Sequence, residues 1–114
     1  MKTLDLWTSE TADTELLRRC KEAITDVVPD ATVILYGSRA RGDAGEYSDY
    51  DIMVIVNQTV NMALKERILD NIFPLELETG AVLTYIVHNK ARWDSPLYQA
   101  MPLHKNVDRD GVIL

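Results

Sequence analysis

Two aspartates, Asp49 and Asp51, stand at the start of the apolar run "DIMVIV", with Tyr50 between them. Because side chains alternate across a strand, both carboxylates would project from one face and converge on one point. Hard cations such as Mg²⁺ take a few carboxylate oxygens and complete their shell with water and substrate phosphate. The pair therefore predicts a Mg²⁺ site at the mouth of a strand. An Asp-x-Asp alone also fits a plain turn, with Asp49 as its cap and Asp51 solvated.

A second group of chemically useful residues lies upstream. Gly37 and Ser38 follow the apolar run "ATVILY", and ten residues separate them from Asp49. Backbone N–H groups and a hydroxyl at such a turn can hold a phosphate. Neither the lysine of a P-loop nor the three glycines of a dinucleotide fingerprint is present, and a Gly-Ser alone is typical of an ordinary turn. Beside an aspartate pair on the adjacent strand end, however, it could share one triphosphate with a bound metal ion.

Two arginines, Arg39 and Arg41, lie within the same stretch. They would add positive charge near the phosphates of a nucleotide. An equally good interpretation is that both are solvated side chains on an exposed turn.

The preceding chain supplies elements that can position these residues. Apolar residues at helical spacing, with acids near the start, predict an amphipathic helix over residues 13–28 that Pro29 ends. Two apolar runs, residues 31–36 and 51–56, predict buried strands on either side of the Gly-Ser turn. Helix and strand thus alternate up to the aspartates.

The same alternation continues downstream. Asn61 is placed to cap a second helix and Pro74 to end it, and residues 81–87, "AVLTYIV", predict a third strand. The piece "LELE" between them suits either an edge strand or the end of the helix. Ser95 begins a last helical segment with a proline after it, and the apolar end "GVIL" suits an edge strand or a partner contact.

Composition narrows the class of protein. A chain of 114 residues with 46% hydrophobic and 26% charged residues suits a single domain over residues 1–114, its first ten residues flexible. The formal charge of −6 opposes strong nucleic-acid binding. No apolar stretch approaches the ~20 residues that span a bilayer, so the cytoplasm is the expected compartment. Cys20 excludes an intrachain disulfide, being the only cysteine, and is expected in the core.

Residues 37–51, "GSRARGDAGEYSDYD", resemble the signature of the minimal nucleotidyltransferases (MNT) of the DNA polymerase beta superfamily: a Gly-Ser, about ten residues, then Asp-x-Asp. The resemblance implies an α+β fold, with a small mixed β-sheet and helices packed on one side. It implies transfer of a nucleoside monophosphate from an NTP, for which we choose ATP, to an acceptor. Asp49 and Asp51 would be the catalytic residues and the ligands of one or two Mg²⁺ ions. Gly37, Ser38, Arg39 and Arg41 would bind the nucleotide.

The resemblance also implies a partner. Minimal nucleotidyltransferases often work beside a helical HEPN protein, as the antitoxin of a toxin–antitoxin pair, so a hydroxyl of that partner is the expected acceptor. A homodimer of this chain is also compatible with the sequence.

The sequence departs from the superfamily pattern at one point. Active members usually supply a third carboxylate from a neighbouring strand, but "AVLTYIV" contains no acid, and its Thr84 is neutral at pH 7. Glu76 and Glu78 are the nearest acids in sequence, better explained as solvated charges. A competing hypothesis is therefore a non-catalytic, nucleotide-binding antitoxin with a degenerate site.

The remaining candidates are expected to be structural. His88 and His104 show no zinc spacing, which favours surface or half-buried positions. The spread aromatic residues Trp7, Trp93 and Tyr98 are expected to pack onto the sheet.

Overall fold

The computed structural model describes residues 1–7, 11–45 and 48–114, with the side chains of residues 11 and 12 also outside the description. The strands form one five-stranded sheet in the order β1-β5-β2-β3-β4. The strands are β1 Lys2–Thr3, β2 Thr32–Tyr36, β3 Tyr50–Val56, β4 Leu83–Asn89 and β5 Val112–Ile113. The helices are α1 Thr11–Val27, α2 Gly37–Arg41, α3 Met62–Thr79, α4 Lys90–Trp93, α5 Pro96–Gln99 and α6 Pro102–Asp110, and a 3-10 turn spans Leu4–Leu6.

The sheet is mixed. β2 runs antiparallel to β3 and to β5, whereas β3 and β4 are parallel, as are β1 and β5. The parallel β3–β4 pair is joined by α3, the helical crossover that such a connection requires. The predicted α+β class with a small mixed sheet is confirmed.

Both faces of the sheet are covered. The long helices α1 and α3 pack on one face, where Leu17, Ile68 and Ile72 join Leu35 and Val54 in the main core. Alternate residues of the same strands face the other way, onto a smaller cluster formed with the short C-terminal helices. The expected one-sided arrangement therefore describes only the long helices. The near-continuous apolar sequence of β3 fits burial on both faces.

Helix α3 does not end at Pro74, as the sequence suggested. Asn61 caps its start, accepting from the backbone N–H of Leu64 at 2.9 Å, as predicted, but the helix runs through Pro74 and ends at Gly80, which has φ +74°. Burial of Ile72 and Leu75 on either side of the proline keeps the helix against the sheet. That burial outweighs a proline cost of about 3 kcal/mol, and the undecided "LELE" segment is helical.

The chain ends are also integrated into the sheet. β5 lies between β1 and β2, so the apolar terminus is an inner strand instead of the expected edge. Residues 1–7 include β1 and the 3-10 turn, whereas residues 8–10 of the segment expected to be flexible lie outside the described residues. Within the described parts of the chain, no helix is long and apolar enough to cross a membrane.

The structure also shows the burial of the cysteine, two tryptophans and one histidine that the sequence singled out. Cys20 is fully buried, as expected, and burial raises the pKa of its thiol to about 12. Trp7 and Trp93 are core residues, as expected. His104, predicted at a surface or half-buried position, is buried instead, because its ring stacks on Trp93 with centroids 4.3 Å apart.

Candidate active site

The predicted site residues gather at one end of the sheet. The register pairs Tyr36 with Asp51 across β2 and β3, and Asp51 with Thr84 across β3 and β4. Gly37 follows directly after Tyr36, and Asp49 stands just before β3. The Gly-Ser turn, the aspartate pair and the start of strand β4 therefore meet, although 35 positions separate Asp49 from Thr84 in the chain.

The two aspartates lie close enough to influence each other. Partial burial raises the pKa of Asp51, and the negative charge of Asp49 raises it further, while Arg41 acts in the opposite direction. Asp49 is exposed. Both carboxylates thus face one region in which a positive charge would be favourable.

Gly37 lies against the carboxylate of Asp51. Its φ is +75°, a region that side chains rarely adopt, and a Cβ at this position would lie 2.3 Å from Oδ2 of Asp51. Only glycine allows the backbone of the turn to approach Asp51 so closely. The turn that was predicted to hold phosphate is therefore in direct contact with one of the predicted metal ligands.

The two arginines have different surroundings. Arg39 donates through Nε and Nη2 to the carbonyl oxygen of Ser48, at 3.1 and 2.8 Å, and its guanidinium lies 4.3 Å from the ring centroid of Tyr50. It therefore holds the chain just before Asp49. Arg41 is more exposed, bonds Asp43 at 3.2 Å and acts electrostatically on Asp51. Arg41 is thus an arginine whose positive charge opposes the rise in the pKa of Asp51.

Thr84 stands where β4 meets the aspartates. Its Oγ1 donates to Oδ2 of Asp49 at 3.3 Å. Glu76 accepts from the backbone N–H of Leu83, and Glu78 pairs with Arg19, so neither glutamate supplies a third carboxylate here. Across the described residues, no group of three His, Cys, Asp or Glu side chains could hold a metal ion.

Sequence reasoning missed two neighbours of this cluster. Half-buried Tyr36 has a raised pKa, through burial and then the charge of Asp51, and the β2–β3 register explains its position. Asp110, at the end of α6, lies within the electrostatic reach of Arg41. The position of Tyr36 directly before Gly37 could have indicated its role, whereas nothing in the sequence indicates that α6 reaches α2.

The donor set fits a hard divalent cation. It offers two carboxylates and a hydroxyl, all oxygen ligands, and the mutual repulsion of Asp49 and Asp51 is what such a cation would relieve. Two protein carboxylates with several open positions are typical of Mg²⁺ sites that are completed by water and substrate phosphates.

Comparisons with known proteins identify the family to which the chain is similar. Residues 17–110 match the family described as "Nucleotidyltransferase domain". "Putative protein adenylyltransferase MJ0141" of Methanocaldococcus jannaschii is 30% identical over 78 residues, which cover 67% of this chain and 79% of that protein. "Probable protein adenylyltransferase MntA" of Haemophilus influenzae is 35% identical over 54 residues, 47% of each chain. A solved structure from Sulfolobus solfataricus, described as a "putative nucleotidyltransferase", aligns over 95% of this chain and 89% of its own, with 21% identity and a TM-score of 0.47.

Proposed function

The chain belongs to the nucleotidyltransferase domain family, and we propose that it transfers AMP from ATP to a hydroxyl group of a partner protein, in a Mg²⁺-dependent reaction. The observation that carries this proposal is the contact of Gly37 with Asp51, beside Asp49 and Arg41. The names of the similar proteins, which specify adenylyl transfer to protein, support the choice of donor and acceptor.

Asp49 and Asp51 would hold Mg²⁺. When bound, Mg²⁺ neutralises charge on the phosphate oxygens and on the leaving pyrophosphate. Gly37 and Ser38 hold the triphosphate, and Arg41 adds positive charge beside it. The hydroxyl oxygen of the acceptor attacks the α-phosphorus, the bond from that phosphorus to the pyrophosphate oxygen breaks, and the hydroxyl proton passes to solvent. The products are an adenylylated protein and pyrophosphate.

The acceptor that we propose is a helical HEPN-type protein in the cytoplasm, for which this chain acts as the antitoxin. Minimal nucleotidyltransferases, which this chain resembles, commonly have such partners. Modification of the partner would then silence it without requiring a lasting contact.

One observation favours a second candidate function. Thr84, which donates to Asp49, is the β4 side chain beside the aspartates, and in the superfamily that the chain resembles a neighbouring strand usually supplies a third carboxylate. With a neutral side chain there, the site could bind Mg²⁺ and nucleotide while turnover remains slow. The second candidate is thus a nucleotide-binding antitoxin that blocks its partner by contact.

Thermal stability in the presence of nucleotide tests the shared part of both candidates. Binding to the native state stabilises it, by about 2.7 kcal/mol at 100 times the Kd. We expect Mg²⁺ to increase the rise in melting temperature that ATP causes in the parent, and to add nothing to it in an Asp49→Asn, Asp51→Asn double variant. An Asp26→Asn variant, in which an exposed acid of α1 is changed, is the matched control and should respond like the parent.

Label transfer separates the two candidates. With ATP labelled at the α-phosphate and the co-purified partner protein, transfer of label to the partner supports the enzyme. A Mg²⁺-dependent melting shift without label transfer supports the contact antitoxin. If the double variant keeps the full melting shift, both candidates are wrong.

A further inference from the structure

A cavity lies at the end of the β3–β4 pair opposite to the aspartates. It measures about 570 Å³, within the usual 300–1,000 Å³ range of small-molecule sites. His88 in its wall is four residues along β4 from Thr84, or ~13 Å at the rise of a strand. The cavity is therefore separate from the aspartate pair. The lining residues are Thr59, Val60, Lys65, Val87, His88, Asn89, Arg92 and Tyr98.

The charge of this cavity is opposite to that of the whole chain. Among the described residues, its lining includes Lys65 and Arg92 but no acidic residue, although the chain carries a formal charge of −6. Among the ion pairs of the described residues, none involves Lys65 or Arg92. Burial lowers the pKa of His88, and the charges of Lys65 and Arg92 lower it further. Both cations therefore act on one region in which no acidic side chain of the described segments pairs with them.

Two lining residues of the cavity, Asn89 and His88, are held in place by contacts with neighbouring segments. Asn89 donates to the carbonyl oxygen of Gln58 at 3.0 Å and accepts from the backbone N–H of Arg92 at 3.2 Å, which fixes the start of α4. The ring of His88 lies between Trp93 and Tyr98, with centroid distances of 5.2 and 5.6 Å. These contacts hold Asn89 and His88 in the wall, so fewer groups need to be ordered when a ligand binds beside the exposed Lys65 and Arg92.

We propose that this cavity binds a small phosphorylated metabolite, with its phosphate between Lys65 and Arg92 and its organic part against Tyr98. Arg and Lys are the usual partners of phosphate, through charge-assisted hydrogen bonds. The volume far exceeds that of one phosphate group, so a larger molecule is needed to fill it. Long polyanions are disfavoured because the rest of the surface is acidic.

The proposal goes beyond the nucleotidyltransferase reaction and does not depend on it. Residues 1–7, 11–45 and 48–114 contribute no carboxylate to its lining, so binding should need no divalent cation, whereas binding at the aspartate pair should require one. Working in EDTA therefore separates the two sites. AMP serves as the probe, with adenosine as the probe that lacks phosphate and inorganic phosphate as the probe that lacks an organic part.

Isothermal titration in EDTA tests the proposal. We expect saturable binding of AMP with a Kd below about 1 mM, weaker binding of inorganic phosphate and none of adenosine. Lys65→Ala and Arg92→Ala should each weaken AMP binding roughly tenfold to hundredfold, as expected for loss of a charge-assisted hydrogen bond. Lys90→Ala is the matched control, because Lys90 is an exposed neighbour that pairs with Asp94 at 2.7 Å and does not line the cavity.

The outcomes are distinct. Equal AMP binding by the parent, Lys65→Ala and Arg92→Ala, with melting curves showing that each variant is folded, would overturn the proposal, as would absence of binding to the parent. Loss of binding in the Asp49→Asn, Asp51→Asn double variant would also overturn it, since the ligand would then lie at the aspartates. Retained AMP binding in EDTA alongside an absent Mg²⁺-ATP response would disprove only the proposed function.

Discussion

The two ends of the β3–β4 pair carry opposite charges on the same framework. At the start of the strands, Asp49 and Asp51 meet Thr84 and the glycine turn. At their far end, Lys65 and Arg92 line a cavity to which the described part of the chain contributes no acidic residue. At each end, like charges act on the same group, and such repulsion disfavours the charged form of that group.

This difference indicates which charge a ligand should carry at each end. The aspartates would be neutralised by a cation, and the cationic cavity by an anion, so we expect a ligand of the opposite sign at each end. The framework between them is apolar and fully buried in β3, from Ile52 to Val54. Rigid strands can thus carry two independent sites, which the following substitutions should separate.

The largest effect is expected from Gly37→Ala, compared with Gly42→Ala. Both glycines have positive φ, +75° and +84°, so alanine should cost about 1–2 kcal/mol of unfolding free energy at each. A Cβ at Gly37 would meet Asp51, whereas one at Gly42 meets nothing within 4 Å. We therefore expect Gly37→Ala alone to abolish the Mg²⁺-dependent part of the ATP melting shift, while AMP binding in EDTA is unchanged.

Urea denaturation checks the stability part of this prediction, and melting curves with ligand check the rest. If both alanine variants respond to Mg²⁺-ATP like the parent, the close approach of Gly37 to Asp51 has no role in nucleotide binding.

Thr84→Asp should have the next largest effect, on rate. Thr84 already bonds Asp49, so an aspartate there would supply the missing third carboxylate. A positioned general base typically contributes 10²- to 10⁴-fold, and we expect label transfer to increase by at least about tenfold. In EDTA the variant should melt at a lower temperature than the parent, because three carboxylates then repel one another.

Thr84→Asn is the matched control, since it has a similar size without the charge, and it should not accelerate transfer. An unchanged rate in Thr84→Asp would show that the absent acid is not what limits this site.

How far the sequence alone could predict these features depends on the range of the interactions. The strand and helix order, the Asn61 cap and the fold class follow from local patterns. The end of α3 does not, because tertiary burial of Leu75 overrides a local proline signal at Pro74. The cationic cavity could not be foreseen either, since Lys65 and Arg92 belong to different helices that only the packing brings together.

The two arginines of the turn should separate positioning from binding. Arg39→Ala removes the hydrogen bonds to Ser48 and the contact with Tyr50, so we expect a loss of about 1.5–3 kcal/mol in unfolding free energy. Arg41→Ala removes an exposed ion pair and should change stability little, but it should weaken Mg²⁺-ATP binding severalfold.

Urea denaturation and nucleotide titration of both variants provide the measurement. The reverse pattern, with Arg41 governing stability and Arg39 governing affinity, would contradict the assignment. AMP binding at the far cavity should be the same in both variants.

The smallest effect concerns the metal-free stability of the acidic end. Burial and the charge of Asp49 raise the pKa of Asp51 above its unfolded value, so the ionised carboxylate destabilises the fold at pH 7. We therefore expect Asp51→Asn to melt slightly above the parent in EDTA, with Asp26→Asn, on the exposed surface of α1, as the control that does not. As the pH falls through the folded and then the unfolded pKa of Asp51, the parent recovers this stability and the gap should close. With Mg²⁺ the order should reverse, because only the parent keeps both carboxylates. A variant that melts below the parent in EDTA at pH 7, or a gap that widens in acid, would mean that Asp51 stabilises the fold without a cation, and the acidic end would then no longer need a ligand of opposite charge.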